Sequence, residues 1–185
     1  MATNVLGALI LLGWLSLEVI LRASGSAASL SRTEADRYTT PLLVTGYGVA
    51  ILLPIAFAVA GLDTVGDVAW LGVAVAGLAL GLRAWAMRTL GALYTRTLRT
   101  AADQQLVTSG PYRWIRHPGY VASLGVWVGA ALAFHSAIAA IAVAILLGVA
   151  YAWRIRNEER MLEASFGDAY RAYAARTARV LPGLL

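Results

Sequence analysis

Five apolar runs, separated by more polar segments, most constrain what this chain can fold into. They cover residues 5–21, 42–62, 68–87, 120–134 and 137–153. In lipid every backbone amide and carbonyl must be hydrogen-bonded within the protein, and helices of about 20 apolar residues meet that requirement. The runs lack the two-residue alternation of a barrel strand. We therefore expect an all-α integral membrane bundle of five transmembrane helices.

The composition agrees with a membrane location and leaves room for one domain. Hydrophobic residues make up 59% of the 185 residues and charged residues 14%, against about 25% charged in a typical soluble domain. We expect a single membrane domain over residues 1–185, with helices 1 and 2 in residues 1–67 and helices 3 to 5 with a cytoplasmic extension in residues 68–185.

The fourth run is short for a membrane span. Its 15 residues would rise about 22 Å as a helix, less than a hydrocarbon core of about 30 Å. Helix 4 therefore either begins earlier, at Pro118, or enters the membrane incompletely.

The positions of arginine predict the orientation in the membrane. All 15 basic residues are Arg, and all but Arg83 follow helix 1, helix 3 or helix 5, whereas the linkers at residues 63–67 and 135–136 carry none. Because cytoplasmic loops are rich in basic residues, we expect the N-terminus outside and the C-terminus in the cytoplasm of a prokaryotic cell. Basic loops beside membrane lipids explain the net charge of +5, so no nucleic acid partner is predicted.

Beyond residue 153 the chain becomes amphipathic. Polar and apolar residues recur there at helical spacing, which predicts that helix 5 continues into the cytosol. Gly167 is expected to end or interrupt this helix, Asp168 to cap the next one, and Pro182 to end the last helical stretch.

A polar pocket is predicted where helices 4 and 5 meet the cytoplasm. Only residues 135–136 join these helices, so they must be antiparallel, and His117 and Tyr120 then lie near Arg154 and Glu158. A carboxylate and an arginine four residues apart also fit an ordinary interfacial salt bridge, and the tyrosine fits an aromatic belt. Together these side chains fit a ligand with both charges, since aromatic rings bind onium centres and a guanidinium binds anions.

Signatures of soluble nucleotide-binding enzymes and of metal sites are missing from the sequence. Gly46-Tyr47-Gly48 is half of a dinucleotide fingerprint, but it falls inside helix 2 with no strand before it, so no Rossmann domain is expected. With no Cys and only two His outside any acidic cluster, no metal site is predicted.

The second half of the chain carries an ordered set of short motifs. They are Leu106-Val107-Thr108-Ser109-Gly110-Pro111-Tyr112, Arg116-His117-Pro118-Gly119-Tyr120, Glu158-Glu159, Phe166-Gly167, Tyr170 and Tyr173. In this order, over roughly residues 83–182, they resemble the isoprenylcysteine carboxyl methyltransferase family. That family belongs to a broader group with membrane phospholipid methyltransferases.

The resemblance implies methyl transfer from S-adenosyl-L-methionine, with S-adenosyl-L-homocysteine as product, to a lipophilic acceptor that enters from the bilayer. The cofactor contacts it implies are Gln104, Gln105, Leu106, Val107, Tyr112, His117, Pro118, Gly119, Tyr120 and Glu158. Arg154 corresponds to the acceptor-binding arginine of the family. Two positions depart from the eukaryotic pattern. A cofactor contact that is glutamine in the eukaryotic members falls near Thr97 here, and Gln104 stands where those members have histidine.

The sequence leaves the acceptor open. A carboxylate such as that of an isoprenylcysteine is already anionic and needs no base, whereas an amine or thiol could lose its proton to Glu159 or His117. Arg154 and Glu159 are therefore the predicted catalytic side chains. Phospholipid, polyprenyl and small-thiol acceptors are the enzymatic alternatives, and a membrane scaffold or transporter with a basic cytoplasmic face is the non-enzymatic one. Arg83, inside helix 3, either lines an acceptor tunnel or snorkels to the cytoplasmic edge.

Overall fold

The computed structural model describes residues 1–23, 39–62, 65–91 and 106–181, and in these residues the chain forms six α-helices and one 3₁₀ turn. In chain order they are α1 (Ala2–Ala23), α2 (Thr39–Val59), α3 (Val68–Leu90), the 3₁₀ turn (Gly110–Arg113), α4 (Pro118–Ala133), α5 (Ala137–Phe166) and α6 (Asp168–Ala174). Within these ranges the β-structure is limited to one isolated parallel bridge, between Ile115 and Ala178. The prediction of an all-α fold is confirmed.

Helix length and composition identify the membrane-spanning part. Among the described residues, three helical segments are long and apolar enough to cross a bilayer: Ala2–Ile20, Val68–Leu90 and Ala137–Phe166. Two further apolar helices are shorter, Pro41–Phe57 and Pro118–Ala133. The protein is an integral membrane protein with three clear candidate spans among the described residues, and the count of five stays a prediction.

Proline and glycine set the ends of the helices around the cytoplasmic edge. Pro118 is the first residue of α4, where its missing amide proton costs no hydrogen bond, so the helix begins earlier than the apolar run. Gly91, with φ +53°, caps α3 and donates its amide to the Met87 carbonyl. Gly167, with φ +51°, ends α5 in the same way.

Two predicted helix boundaries near the C-terminus are wrong. Asp168 is the first residue of α6 and not its cap, because Gly167 takes the cap position. The last helix ends at Ala174, well before Pro182, which lies outside the described residues. The chain leaves helical geometry there because residues 178 and 179 bond to the backbone of residues 114–117 instead.

The turn between α4 and α5 makes these helices antiparallel, as predicted. His135 adopts φ +65°, and the Ser136 hydroxyl accepts a hydrogen bond of 3.1 Å from the Ala139 amide at the start of α5. Helix α5 then runs for 30 residues without a break. It thus joins the apolar bundle to the polar cluster described below.

Small residues let α3 and α4 pack at backbone contact. A Cβ atom on Gly72 would fall 2.6 Å from the carbonyl oxygen of Gly129, and one on Gly129 would fall 2.6 Å from the amide of Ala76. Close approach through glycine is a common way for membrane helices to associate. Farther along, this packing brings Arg83 of α3 against Gly119 in the first turn of α4.

Candidate active site

A cluster of polar side chains lies where α4 begins and α5 becomes polar. The 3₁₀ turn, the first turn of α4, residues 154–159 of α5 and the chain after α6 all contribute to it. The 3₁₀ turn is held against α3, because Gly110, at φ +56°, lies so close to Thr89 that a Cβ would fall 2.5 Å from the threonine hydroxyl. Only glycine suits this position.

Tyr120 connects the two charged residues that the sequence predicted to be neighbours. Its hydroxyl donates a hydrogen bond of 2.6 Å to Glu158 Oε2 and accepts one of 2.9 Å from Arg154 Nε. Arg154 is buried, whereas Glu158 and Tyr120 are partly exposed. The predicted proximity of the start of α4 to the polar end of α5 is confirmed. The Tyr120 hydroxyl between Arg154 and Glu158 was not predicted.

Glu159, the next residue on α5, is tied down by three cationic or ionisable side chains. Its Oε1 atom lies 3.0 Å from Arg116 Nε and 3.3 Å from His117 Nε2, and its Oε2 atom lies 2.7 Å from Arg179 Nη2. Its carboxylate therefore joins the motif before α4 to the chain that follows α6.

These contacts make Glu159 a weak base. The residue lies beyond the apolar part of α5, which ends at residue 153. Burial alone would raise the pKa of its carboxyl, but hydrogen bonds from His117, Arg179 and Arg116 outweigh burial and lower that pKa from 4.5 to about 2. A general base works best with a pKa near the working pH. The predicted catalytic role of Glu159 stays a prediction, and its surroundings favour an anchoring role.

The segment after α6 is docked on the motif that precedes α4. The Arg116 amide donates to the Ala178 carbonyl at 2.8 Å, and the His117 amide donates to the Arg179 carbonyl at 3.2 Å. The Arg116 guanidinium also donates to the carbonyls of Ala174 and Thr177. The backbone around His117 is thereby fixed from the C-terminal side.

Arg83 has a buried carboxylate partner that the sequence analysis missed. Its Nη2 atom lies 2.5 Å from Glu18 Oε1 of α1, and its Nη1 donates to the Gly119 carbonyl at 2.9 Å. Relative exposure is 8% for Arg83 and 3% for Glu18, so the snorkelling alternative is wrong. The available signal was Glu18 itself, a lone carboxylate inside the first apolar run, where charge is costly.

Two buried polar atoms beside the cluster have no hydrogen-bonding partner among the described residues. They are Nδ2 of Asn157, which precedes Glu158 on α5, and the hydroxyl of Tyr170 on α6. Exposure is 6% for Asn157 and 4% for Tyr170, and Tyr170 is close enough to Glu159 and Glu158 for both to act on its pKa electrostatically. Buried polar groups are nearly always satisfied, so an ordered water molecule or a polar ligand is expected to complete them.

Most of the residues implied by the resemblance fall in the described part of the chain. Eight of the ten implied cofactor contacts do so, in or just before the 3₁₀ turn and at the start of α4 and polar end of α5: Leu106, Val107, Tyr112, His117, Pro118, Gly119, Tyr120 and Glu158. The structure joins Tyr120 to Glu158 and places His117 against Glu159. Gln104 and Gln105 lie outside the described residues, as does Thr97. In the described ranges, no three His, Asp or Glu side chains converge as metal ligands would.

Residues 70–164, just over half of the chain, match the isoprenylcysteine carboxyl methyltransferase (ICMT) family. The chain belongs to this family. The matched residues run from α3 through the 3₁₀ turn and α4 to the polar end of α5, so this ICMT-family chain carries the Arg154, Glu158 and Tyr120 cluster inside the matched region, and α1 outside it.

Relatives and a solved structure agree with the family assignment. Protein-S-isoprenylcysteine O-methyltransferase B of Arabidopsis thaliana is 36% identical over 104 residues, 55% of this chain and 52% of that protein. The uncharacterised protein YpbQ of Bacillus subtilis is 30% identical over 95 residues, 51% of this chain and 56% of that protein. In both cases the chain matches only about half of the relative's length.

The fold itself matches a solved ICMT-family structure. A structure of the eukaryotic intramembrane Ras methyltransferase, isoprenylcysteine carboxyl methyltransferase, aligns with a TM-score of 0.61. The alignment covers 83% of this chain and 55% of that one at 24% sequence identity. At this identity the likeness concerns the fold of the membrane helices.

Proposed function

We propose that this protein transfers a methyl group from S-adenosyl-L-methionine to a lipophilic acceptor that reaches the site from the bilayer. The family supports the reaction type, because relatives in it are named as O-methyltransferases. The observation that carries the proposal is the Tyr120 hydroxyl bonded to both Arg154 and Glu158 at the polar end of an apolar bundle. Such a site offers opposite charges at the boundary between lipid and water.

The proposal includes the number of membrane spans and the orientation of the chain. All five apolar helices are taken as spans, with the N-terminus outside, the site in the cytoplasm, and residues 1–185 as one domain. The basic residues that follow α3 and α5 support this orientation.

The residues at the site fit S-adenosyl-L-methionine. Glu158 is partly exposed and carries a carboxylate for the ammonium of the cofactor. Beside it, the Asn157 amide and the Tyr170 hydroxyl are buried, and within the described part of the chain they have unused hydrogen-bonding capacity. The aromatic ring of Tyr120 suits a sulfonium. The cofactor supplies an activated methyl group, and the chain supplies its binding and orientation.

The side chains divide the work between two substrates. Glu158, His117 and Tyr120 hold the methyl donor, together with the residues that the resemblance adds on either side. Arg154 holds the acceptor, because a buried guanidinium binds a carboxylate through two parallel hydrogen bonds. An anionic acceptor needs no base, so rate enhancement comes from orientation in a pocket with little water. Glu159 keeps the motif before α4 in place.

The acceptor that suits this arrangement best is the carboxylate of an isoprenylcysteine-like compound. Arg154 favours an anion over an amine, and Glu159 is poorly suited to deprotonate a thiol because its pKa is about 2. Phospholipid, polyprenyl and small-thiol acceptors are separated from it by profiling candidate acceptors with a labelled methyl donor.

Binding of S-adenosyl-L-homocysteine to the detergent-purified protein, measured by calorimetry, tests the proposal. We expect binding by the wild type and none by Glu158→Ala. The matched control is Glu163→Ala, which removes a carboxylate from the same helix at an exposed position whose partner is Arg171. Absence of binding by a folded wild type would favour the membrane scaffold instead.

A second comparison separates the two substrates. We expect Arg154→Ala to keep most of the affinity for S-adenosyl-L-homocysteine and to lose turnover with a carboxylate acceptor. Equal loss of cofactor binding in Arg154→Ala and Glu158→Ala would contradict the proposed division of roles.

A further inference from the structure

An ion pair between α1 and α3 lies deep among apolar helices and next to the proposed cofactor site. Glu18 and Arg83 approach to 2.5 Å, with relative side-chain exposures of 4% and 10%. Glu18 lies outside the part of the chain that matches the family. The pair therefore connects an N-terminal helix of unassigned function to the catalytic half of the bundle.

Stability alone is a poor reason for this pair. Two charges moved out of water lose solvation that their mutual attraction often fails to repay, and apolar residues of similar size are frequently as stable. A buried ionisable pair within a membrane protein more often serves function. The second hydrogen bond of Arg83 indicates what that function is.

Arg83 uses that second donor on the backbone of the site. Its Nη1 atom donates to the carbonyl of Gly119, which lies between Pro118 and Tyr120 in the first turn of α4. A Cβ at position 119 would lie 2.9 Å from the same Nη1 atom, so a larger residue there would push the end of the Arg83 side chain away from the carbonyl. The next residue, Tyr120, carries the hydroxyl that bridges Arg154 and Glu158.

We propose that Glu18 and Arg83 are positioning residues, which hold the Gly119 carbonyl and thereby set the place of Tyr120 in the cofactor site. Glu18 orients the guanidinium from one side, and the guanidinium fixes the first turn of α4 from the other. Helix α1 thus contributes to cofactor affinity without touching the cofactor. This inference rests on the proposed function, because the affinity in question is that of the proposed cofactor site.

Exchanging the charges at positions 18 and 83 shows whether the pair positions Gly119 and Tyr120 or only holds α1 against α3. The double variant Glu18→Arg with Arg83→Glu restores an ion pair between α1 and α3, but a glutamate at position 83 cannot donate to the Gly119 carbonyl. The measurements are affinity for S-adenosyl-L-homocysteine and the midpoint of thermal unfolding, both in detergent.

We expect Glu18→Gln to weaken S-adenosyl-L-homocysteine binding about tenfold, the effect of misplacing one hydrogen-bonded group. The exchanged variant should recover the unfolding midpoint and keep the weakened binding. Arg83→Lys, which keeps the charge opposite Glu18 but replaces two guanidinium donors with one ammonium, should weaken binding similarly and serves if the other variants do not fold.

The control is Thr3→Ala at the other end of α1. Thr3 is 5% exposed, and its Oγ1 atom lies 2.9 Å from His135 Nε2. Loss of this hydroxyl should lower the unfolding midpoint and leave the affinity for S-adenosyl-L-homocysteine unchanged. Wild-type affinity for S-adenosyl-L-homocysteine in Glu18→Gln, or recovered affinity in the exchanged variant, would mean that the pair only holds α1 against α3. Failure of the wild type to bind at all would instead reject the proposed function.

Discussion

At the scale of single residues, the hydroxyl of Tyr120 uses both its donor and its acceptor capacity within the proposed site. It orients the Glu158 carboxylate and the Arg154 guanidinium, which bind different substrates in the proposed reaction. Neither charged group reaches this arrangement from helical spacing alone, because residues four apart on a helix could equally pair with each other.

Replacing this tyrosine tests the bridge. We expect Tyr120→Phe to weaken S-adenosyl-L-homocysteine binding about tenfold, because Glu158 loses the hydrogen bond that orients it. Calorimetry on the purified variant measures the change. The control is Tyr47→Phe, which removes a hydroxyl bonded at 3.0 Å to Tyr151 elsewhere in the bundle. A similar affinity loss in both variants would mean that the effect is general.

The lowered pKa of Glu159 predicts how the stability of the folded protein changes in acid. Its pKa is lowered in the folded protein to about 2 from 4.5, so its contribution is complete above about pH 4.5 and is lost as the pH falls towards 2. The difference in unfolding midpoint between wild type and Glu159→Gln should therefore be constant from pH 7 to about 5 and shrink below that. Thermal unfolding in detergent across this range provides the measurement. A difference that grows on acidification would contradict the assigned contacts.

Some residues could be predicted and others could not, for physical reasons. Arg154, Glu158 and Tyr120 were predictable neighbours, because a two-residue linker forces antiparallel helices. The pairing of Glu18 with Arg83 was not predictable, because it depends on how α1 rotates about its axis beside α3. Tyr170 belongs to the ordered motifs, but the sequence does not predict the hydrogen-bonding capacity that Asn157 and Tyr170 leave unused among the described residues, because that depends on the fold.

At the scale of helices, the contact between α3 and α4 determines where the site is built. Gly72 and Gly129 bring the two backbones together, and the same pair of helices carries Arg83 and Gly119 nearer the cytoplasm. Any change that separates the helices should therefore affect both stability and the site.

Gly72→Val should be strongly destabilising. Its Cβ would overlap backbone atoms of α4 at 2.6 Å, and overpacking of this kind costs about 1–3 kcal/mol or more. The matched control is Gly77→Val on the same helix, where a Cβ would meet nothing within 4 Å. Thermal unfolding in detergent should show a clear drop for the first variant and little change for the second. Equal effects would indicate that helix propensity, and not packing, is responsible.

The existence of the helices was predictable from apolar runs, whereas some of their ends were not. Pro118 and Gly167 could be predicted as helix boundaries, because proline favours the first turn of a helix and glycine its C-terminal cap. The segment after α6 escaped prediction because it is held by backbone hydrogen bonds to residues 114–117. Backbone pairing of this kind leaves no periodic pattern of side chains.

At the scale of the whole molecule, the C-terminal segment and the motif before α4 depend on each other. Arg116 is central, because its side chain contacts Glu159, the Ala174 carbonyl at the end of α6 and the Thr177 carbonyl in the segment that follows. We expect Arg116→Gln to increase tryptic cleavage after Arg176 about tenfold, since loss of charged hydrogen bonds raises the opened population. Mass spectrometry of limited digests measures the rate.

The control for this digestion is Arg171→Gln. Arg171 is exposed on α6, where it contacts the surface carboxylates of Glu163 and Asp168. Its replacement should leave cleavage after Arg176 unchanged. An equal increase in both variants would show that α6 itself, and not the docking of the segment, controls access.

The 16 residues of α4 rise about 24 Å, about 6 Å less than an average hydrocarbon layer. If α4 crosses the membrane, the surrounding lipid must become thinner or the first turn of α4 must sink beneath the headgroups. In either case the length of the acyl chains sets the distance between the Pro118 turn and water. The host membrane then acts as a regulator: reconstitution in lipids of increasing chain length should change turnover without any change in the protein.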